Sequence, residues 1–176
     1  MIYAGRRKTG CLSRHFIWDL YSFFGLLLSA VFDFPTFLIA NVLPDVEPFA
    51  VLFFSIRGYP LHGFFHSYIG ATILALALAF CMYFLRGFSG KVMMAFRLQQ
   101  RSSFKKIIFA AFAGSYFHLF LDSFLYSEMM PFYPLQVNVF SAYGNSTVIY
   151  VFCVVTALLG ITLYLYKIRK GLAILG

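Results

Sequence analysis

Long apolar runs, separated by short polar segments, dominate the pattern along the chain. A helix needs about 20 predominantly apolar residues to cross a bilayer. Four runs approach or exceed this length, and they are Phe16–Val31, Leu61–Leu85, Ile107–Leu125 and Thr147–Tyr166. The pattern therefore predicts an all-α, polytopic membrane protein with about four transmembrane helices, which form a single domain over residues 1–176.

The segment after the first run is predicted to be broken. A second apolar piece, Pro35–Leu43, follows Asp33, and a third, Phe49–Ile56, is too short to cross a bilayer. An Asp two residues before a proline is typical of a chain break or a helix N-cap. We interpret Pro35–Ile56 as one broken or re-entrant excursion on the outer side, and not as a further complete span.

The composition supports the membrane assignment. Hydrophobic residues make up 61% of the chain, aromatic residues 21% and charged residues only 11%. Soluble domains average about 45–50% apolar and about 25% charged residues, and a small soluble fold could not bury this much apolar surface. The composition therefore excludes a soluble domain, a disordered or collagen-like chain and a disulfide-stabilised secreted domain.

The cations are distributed unevenly. The chain has 14 Lys and Arg residues against 6 Asp and Glu, a net charge of +8. All of these cations except Arg57 lie before the first run, between the second and third, or after the fourth. The positive-inside rule makes these segments cytoplasmic. We therefore predict a protein of the cell membrane with both termini in the cytoplasm, with lipid head groups and not nucleic acid as the partner of the cations.

The acidic residues and histidines are concentrated in three clusters. Six of the ten lie there, and they are Asp45 with Glu47, His62 with His66, and His118 with Asp122. Ionisable residues at membrane depth are costly and usually mark a functional site. The predicted topology places all three clusters near the non-cytoplasmic face, although the cation count does not require this. We therefore predict that they form one site.

The spacing inside two clusters predicts a shared helix face. His62 and His66 are four residues apart, and so are His118 and Asp122. Side chains at this spacing lie one above the other on an α-helix. Each pair is therefore expected to point in one direction from its own span.

The third cluster is predicted to differ. Asp45 and Glu47 lie between two prolines, which favour a non-helical turn. Carboxylates two positions apart in an extended segment point to opposite faces, so we expect only one of them to be a direct ligand. Among the surrounding residues, Tyr59 and Tyr126 are assigned to the aromatic belts of the membrane interface. Glu128 is a candidate base that lies outside the set of metal ligands.

Nitrogen and carboxylate groups in this mixture suit Zn, Mn or Fe, with Zn preferred. The predicted ligands of the divalent metal are Asp45, His62, His66, His118 and Asp122. The predicted catalytic residues are Asp45 and Glu47, of which either could act as a general base. The alternative is that the clusters are separate polar contacts between helices, without a shared metal.

Three motifs occur in a recognisable order. Asn41–Pro48 reads NVLPDVEP, Tyr59–Ser67 reads YPLHGFFHS and His118–Ser123 reads HLFLDS. Together they resemble the inner-membrane-associated, metal-dependent hydrolases of the LexA-binding hydrolase family, and the form is closest to archaeal members. The resemblance covers about Phe16 to Pro134, and the last span carries no motif.

The resemblance implies a membrane-bound metal hydrolase. It also implies ligand or catalytic roles for the histidines and aspartates of the three motifs, and Glu47 matches the acidic position of the archaeal form. Members commonly open with a Thr-His pair or a Pro-Phe-His motif before the first helix. Here the counterpart is Arg14-His15 in a different context, which leaves the role of His15 open.

Two functions are compatible with these observations. The first is a metal-dependent hydrolase that acts on an ester or phosphoester, with lipid as the favoured substrate class because no soluble domain is predicted to recruit another. The second is a non-catalytic accessory subunit of a larger membrane complex. Small residues at Ala110 and Gly114 would let a partner helix approach closely, or would serve packing within this chain.

Overall fold

The chain is all-helical in a computed structural model that describes residues 31–98, 100–143 and 146–169. Within these ranges there are five α-helices, three 3-10 turns and no strand. The α-helices are α1 (Phe34–Ala40), α2 (Val46–Phe53), α3 (Tyr68–Ala95), α4 (Phe104–Leu125) and α5 (Ser146–Arg169). The 3-10 turns are Leu43–Asp45, Phe64–His66 and Ser141–Tyr143.

Four segments of the described chain are long and apolar enough to cross a membrane. They are Phe34–Phe53, Tyr68–Ala95, Phe104–Leu125 and Thr147–Tyr166. This confirms the predicted all-α membrane fold, and the last three segments overlap the predicted runs. The predicted first run, Phe16–Val31, lies outside the described residues except for Val31.

α1 begins beside the start of α4 and runs alongside it in the same direction. At one end, the backbone N–H of Asp33 donates to the carbonyl of Lys106. At the other end, Ala40 lies against Gly114. The first half of Pro35–Ile56 therefore runs from the end of the bundle that carries the cationic loop toward the other end, which differs from an excursion confined to the side opposite that loop.

The reason lies in the residues that begin α1. The Asp33 side chain accepts a hydrogen bond from the backbone N–H of Thr36 at 3.2 Å and so caps the helix. Pro35 occupies the first turn, where its missing N–H has no intrahelical partner to lose. Asp33 is buried and also accepts hydrogen bonds from Gln100 and Ser102. The Asp-Phe-Pro pattern thus starts a helix and ties it to the loop before α4.

Small residues allow α1 and α4 to approach closely. A Cβ added at Gly114 would lie 2.6 Å from the Cβ of Ala40 and 2.8 Å from the carbonyl oxygen of Phe37. Ala110 and Ala111 are fully buried on α4. In a membrane, the lipid is as apolar as the surface of a helix, so the hydrophobic effect does not drive helices together. Helices associate there mainly through close packing, which small residues allow. The small residues noted in the sequence therefore pack within this chain.

α3 begins later than predicted, at Tyr68. The Oγ atom of Ser67 accepts a hydrogen bond from the N–H of Gly70 and caps the helix. Gly70 lies directly under the preceding turn, since a Cβ there would be 2.1 Å from the carbonyl oxygen of Phe64. His62 and His66 therefore precede the helix, and the prediction that they share one α-helical face is wrong.

Candidate metal centre

Four of the predicted ligands converge on one point. Asp45 ends the Leu43–Asp45 turn and His66 ends the Phe64–His66 turn, whereas His118 and Asp122 lie on α4. Each residue offers one ligand atom, and these atoms all lie within 4.8 Å of one another. The site is thus assembled from three separate stretches of chain around the half of α4 that lies away from the cationic loop.

The distances within this group are compatible with a metal centre. His118 Nε2 is 3.1 Å from Asp122 Oδ2 and 3.5 Å from Asp45 Oδ1. His66 Nε2 is 3.9 Å from the same oxygen of Asp122. Four ligand atoms at about 2.1 Å from a tetrahedral ion would be about 3.4 Å apart. Small side-chain adjustments would therefore bring all four atoms to coordination distance.

Two buried ring nitrogens in the centre have no hydrogen-bond partner among the described residues. They are Nε2 of His66 and Nε2 of His118. Although His118 Nε2 lies close to Asp122, the contact lacks the alignment of a hydrogen bond. An unsatisfied buried polar atom costs about 1–3 kcal/mol. A metal ion would satisfy both nitrogens at once, so the donor set fits a divalent cation.

Glu47 contacts the His66 ring at Nδ1, the nitrogen on the side away from Asp122. Its Oε2 atom lies 2.9 Å from His66 Nδ1, and both carboxylate oxygens also accept hydrogen bonds from Tyr59 Oη and from the N–H groups of Gly63 and Phe65. A carboxylate that accepts the Nδ1 proton leaves Nε2 with a free lone pair, as in many metal centres. The buried Glu47 therefore holds the ring of the candidate ligand His66 in place.

His118 is placed by its position on α4. Its Nε2 atom faces Asp45 and Asp122, one turn beyond Gly114, where Ala40 and the Asn41 side chain pack. The hydrogen bond from Tyr59 to Glu47 was missed in the sequence, because a tyrosine near a membrane interface resembles an aromatic-belt residue.

Asp45 and Glu47 have different partners, but for a different reason from the predicted one. The segment is not extended, since Leu43–Asp45 is a 3-10 turn and α2 follows directly. Pro44 and Pro48 each fall near the start of a helical element, where the absence of an N–H is tolerated. Asp45 thus faces His118 and Glu47 faces His66.

His62 lies next to the centre and not within the converging group. Its Nδ1 atom is 3.2 Å from Glu128 Oε1, and its ring stacks on Tyr126 at a centroid distance of 3.9 Å. Its ring also meets the edge of His66, with centroids 4.8 Å apart. The structure thus pairs His62 with Glu128, while the other four predicted ligands meet one another.

A cleft opens from the centre between α4 and α5. Its volume is about 320 Å³, and its polar end is formed by Asp45, His118 and Asp122. The remaining lining residues are Asn41, Leu121, Leu125, Tyr126, Ile149, Tyr150 and Cys153. The side chain of Asp45 is 50% exposed, so it is the candidate ligand most accessible from the cleft.

No protein-family model, curated protein or solved structure matches this chain. The resemblance to metal-dependent membrane hydrolases therefore rests on the three sequence motifs alone and stays a prediction. The convergence of the four side chains in space is a separate observation that does not depend on this resemblance.

The orienting role of Glu47 leads to a first testable prediction. Changing Glu47→Gln keeps the shape of the side chain but removes the charge that accepts the His66 proton. We expect metal affinity to fall about 10–100-fold, as for other residues that orient ligands. Titration against a competing chelator measures this affinity.

The matched control is Tyr59→Phe, which removes another hydrogen bond to Glu47 but leaves its contact with His66. A smaller loss of affinity is expected there. If Glu47→Gln binds metal as tightly as the wild type but loses turnover, Glu47 is the general base that the sequence predicted, and the positioning role is wrong.

Proposed function

We propose that this protein is a membrane-bound, metal-dependent hydrolase that acts on an ester or phosphoester of a lipid. The observation that carries the proposal is the convergence of two unpaired imidazole nitrogens and two carboxylates at one end of a cleft. The three sequence motifs support the same class of activity. The predicted catalytic residue Asp45 lies at the open side of this group, where a substrate would approach.

The metal would be held by His66, His118 and Asp122, with Asp45 as a fourth ligand or as a neighbour in the cleft. Two carboxylates and two neutral imidazoles carry a formal charge of −2, which a divalent cation balances. Zn is the favoured ion because it accepts nitrogen and carboxylate ligands in a four-coordinate site, and Mn and Fe accept the same types of ligand. When bound, such an ion would polarise the scissile oxygen and lower the pKa of a water in the cleft.

Asp45 is the side chain best placed to take the proton of the attacking water. It is half exposed and borders the cleft, whereas Glu47 is buried and fully hydrogen-bonded. The water oxygen would form a bond to the acyl carbon or phosphorus, and the ester C–O or P–O bond would break. The proton taken by Asp45 would pass to the leaving oxygen, so that one water is consumed for each acid and alcohol released.

One observation favours the second candidate function, an accessory subunit. No residue in the most apolar stretch of Thr147–Tyr166, as the structure describes it, is buried within the chain. This apolar surface would be covered by lipid or by a partner membrane subunit. Co-purification of a second membrane protein at fixed stoichiometry, without turnover by the isolated chain, would favour this function.

The proposed activity can be tested on the purified full chain in detergent. We expect elemental analysis to find close to one divalent metal per chain, and we expect hydrolysis of p-nitrophenyl laurate or bis(p-nitrophenyl) phosphate. A chelator should abolish turnover and added Zn²⁺ should restore it, because the metal activates the water. Protein that contains no metal and gains no turnover from added Zn²⁺, Mn²⁺ or Fe²⁺ would exclude this function.

A further inference from the structure

The cleft between α4 and α5 has a polar end and two apolar walls. Leu121 and Leu125 line one wall and are four residues apart on α4. Ile149 and Cys153 line the other wall and are four residues apart on α5. This spacing puts each pair on one helix face, so the two pairs form parallel apolar surfaces that lead to Asp122.

The position of the cleft determines what surrounds it. Both walls belong to segments that are long and apolar enough to cross a membrane. The α5 wall consists of a single helix. In the most apolar stretch of its described span, no residue is buried by the rest of the chain. The side of the cleft therefore faces the bilayer, and an apolar chain could enter without crossing water.

The size of the cleft limits its occupant. Ligand pockets commonly span about 300–1,000 Å³ and take their orientation from a few polar groups. At about 320 Å³, this cleft lies at the small end of that range. Away from the centre its walls offer only the Asn41 side chain and two tyrosine hydroxyls as polar groups, so they suit a flexible hydrocarbon better than a sugar or a nucleotide.

We propose that the cleft binds one acyl chain of the substrate, which enters sideways from the bilayer between α4 and α5 and places its ester group at Asp45 and Asp122. This inference rests on the proposed hydrolase function and adds the substrate class, a single-chain amphiphile or one chain of a lipid. Leu121, Leu125, Ile149 and Cys153 then determine the chain length that the protein accepts. A soluble polar substrate is the competing class.

A tryptophan in the α5 wall tests the proposal. Ile149→Trp fills the cleft, whereas Val151→Trp places the same side chain on an exposed position of α5 that does not line it. In lipid nanodiscs, we expect Ile149→Trp to lower kcat/KM for p-nitrophenyl laurate by about tenfold or more, the scale on which apolar pockets discriminate. Hydrolysis of p-nitrophenyl acetate should be nearly unchanged, and so should metal content.

Val151→Trp should retain both activities. An equal loss for laurate and acetate in Ile149→Trp protein that keeps its metal would overturn the proposal, because chain length would then not matter. Unchanged laurate hydrolysis in Ile149→Trp would overturn it as well. If the wild type hydrolyses neither ester although it contains metal, chain binding is decided by a second measurement. If it also leaves bis(p-nitrophenyl) phosphate intact, the hydrolase function itself fails.

That measurement uses Cys153 as a reporter in protein with Cys11→Ser and Cys81→Ser. Dodecylphosphocholine, added to nanodiscs, should slow the reaction of Cys153 with a maleimide several-fold more than glycerophosphocholine does. Equal rates with both compounds would show that no chain occupies the cleft. Protection of Cys153 together with unaltered laurate hydrolysis in Ile149→Trp would identify a bystander lipid, which also overturns the proposal.

Discussion

Changing His118→Ala is expected to remove most of the metal from the purified protein. His118 supplies a nitrogen that lies within 3.5 Å of both carboxylates of the centre, and its Nε2 atom has no other partner among the described residues. Mutation of residues that only orient the ligands already lowers metal affinity about 10–100-fold, so loss of a ligand should lower it at least as much. Elemental analysis after dialysis measures the result.

The matched control is His62→Ala, which removes a buried imidazole whose ring touches that of His66. Because His62 is paired with Glu128 and not with the two aspartates, we expect this variant to retain its metal. Loss of metal from His62→Ala would restore the ligand role that the sequence predicted. Full metal content in His118→Ala would instead indicate separate polar contacts, and the proposed mechanism would lose its basis.

Changing Asp45→Asn is expected to abolish most turnover while the protein keeps most of its metal. The amide has nearly the same shape but cannot accept the proton of the attacking water, and general bases contribute about 10²–10⁴-fold to rates. The half-exposed position of Asp45 at the cleft makes it the outermost of the four side chains. The measurement compares kcat for p-nitrophenyl laurate with metal content in the same preparation.

Asp122→Asn provides the contrast, because Asp122 lies within reach of both imidazoles and should lose metal and turnover together. If Asp45→Asn also loses metal in proportion to turnover, Asp45 is a required ligand. The proton would then have to be taken by another group, and the proposed division of roles between the two aspartates would be incorrect.

The helical spans could be predicted because their signal is local. Twenty apolar residues in a row have few alternatives to a membrane helix, since the backbone must satisfy its own hydrogen bonds in lipid. The pairing of His118 with Asp122 was predictable for the same reason, because both lie inside an uninterrupted helix and are four residues apart.

The first part of the fold depends on contacts that the local pattern does not contain. Asp33 was recognised as a possible cap, but its position beside Lys106 depends on packing between Ala40 and Gly114. Pro35 suggested a break after Asp33, although a proline in the first turn is compatible with the start of a helix. The direction of α1 therefore could not be obtained from hydropathy alone.

The candidate site was predicted in composition but not in arrangement. Four of the five predicted ligands converge, whereas His62 turns to Glu128 because Gly63 and the Ser67 cap keep this stretch out of the helix. Glu47 belongs to one of the predicted clusters, but its hydrogen bonds to the 59–66 loop join residues far apart in the sequence. Sequence spacing alone cannot distinguish a carboxylate that binds a metal from one that holds the ligand.

The pairing of α1 with α4 has a consequence for how the protein is made. α1 is capped by Asp33, which is hydrogen-bonded to residues synthesised about 70 positions later, and its closest packing partner is Gly114. The contacts that fix the start of α1 therefore form only after α4 has been synthesised. All four converging residues precede α5 in the chain, so α5 contributes none of the side chains of the centre.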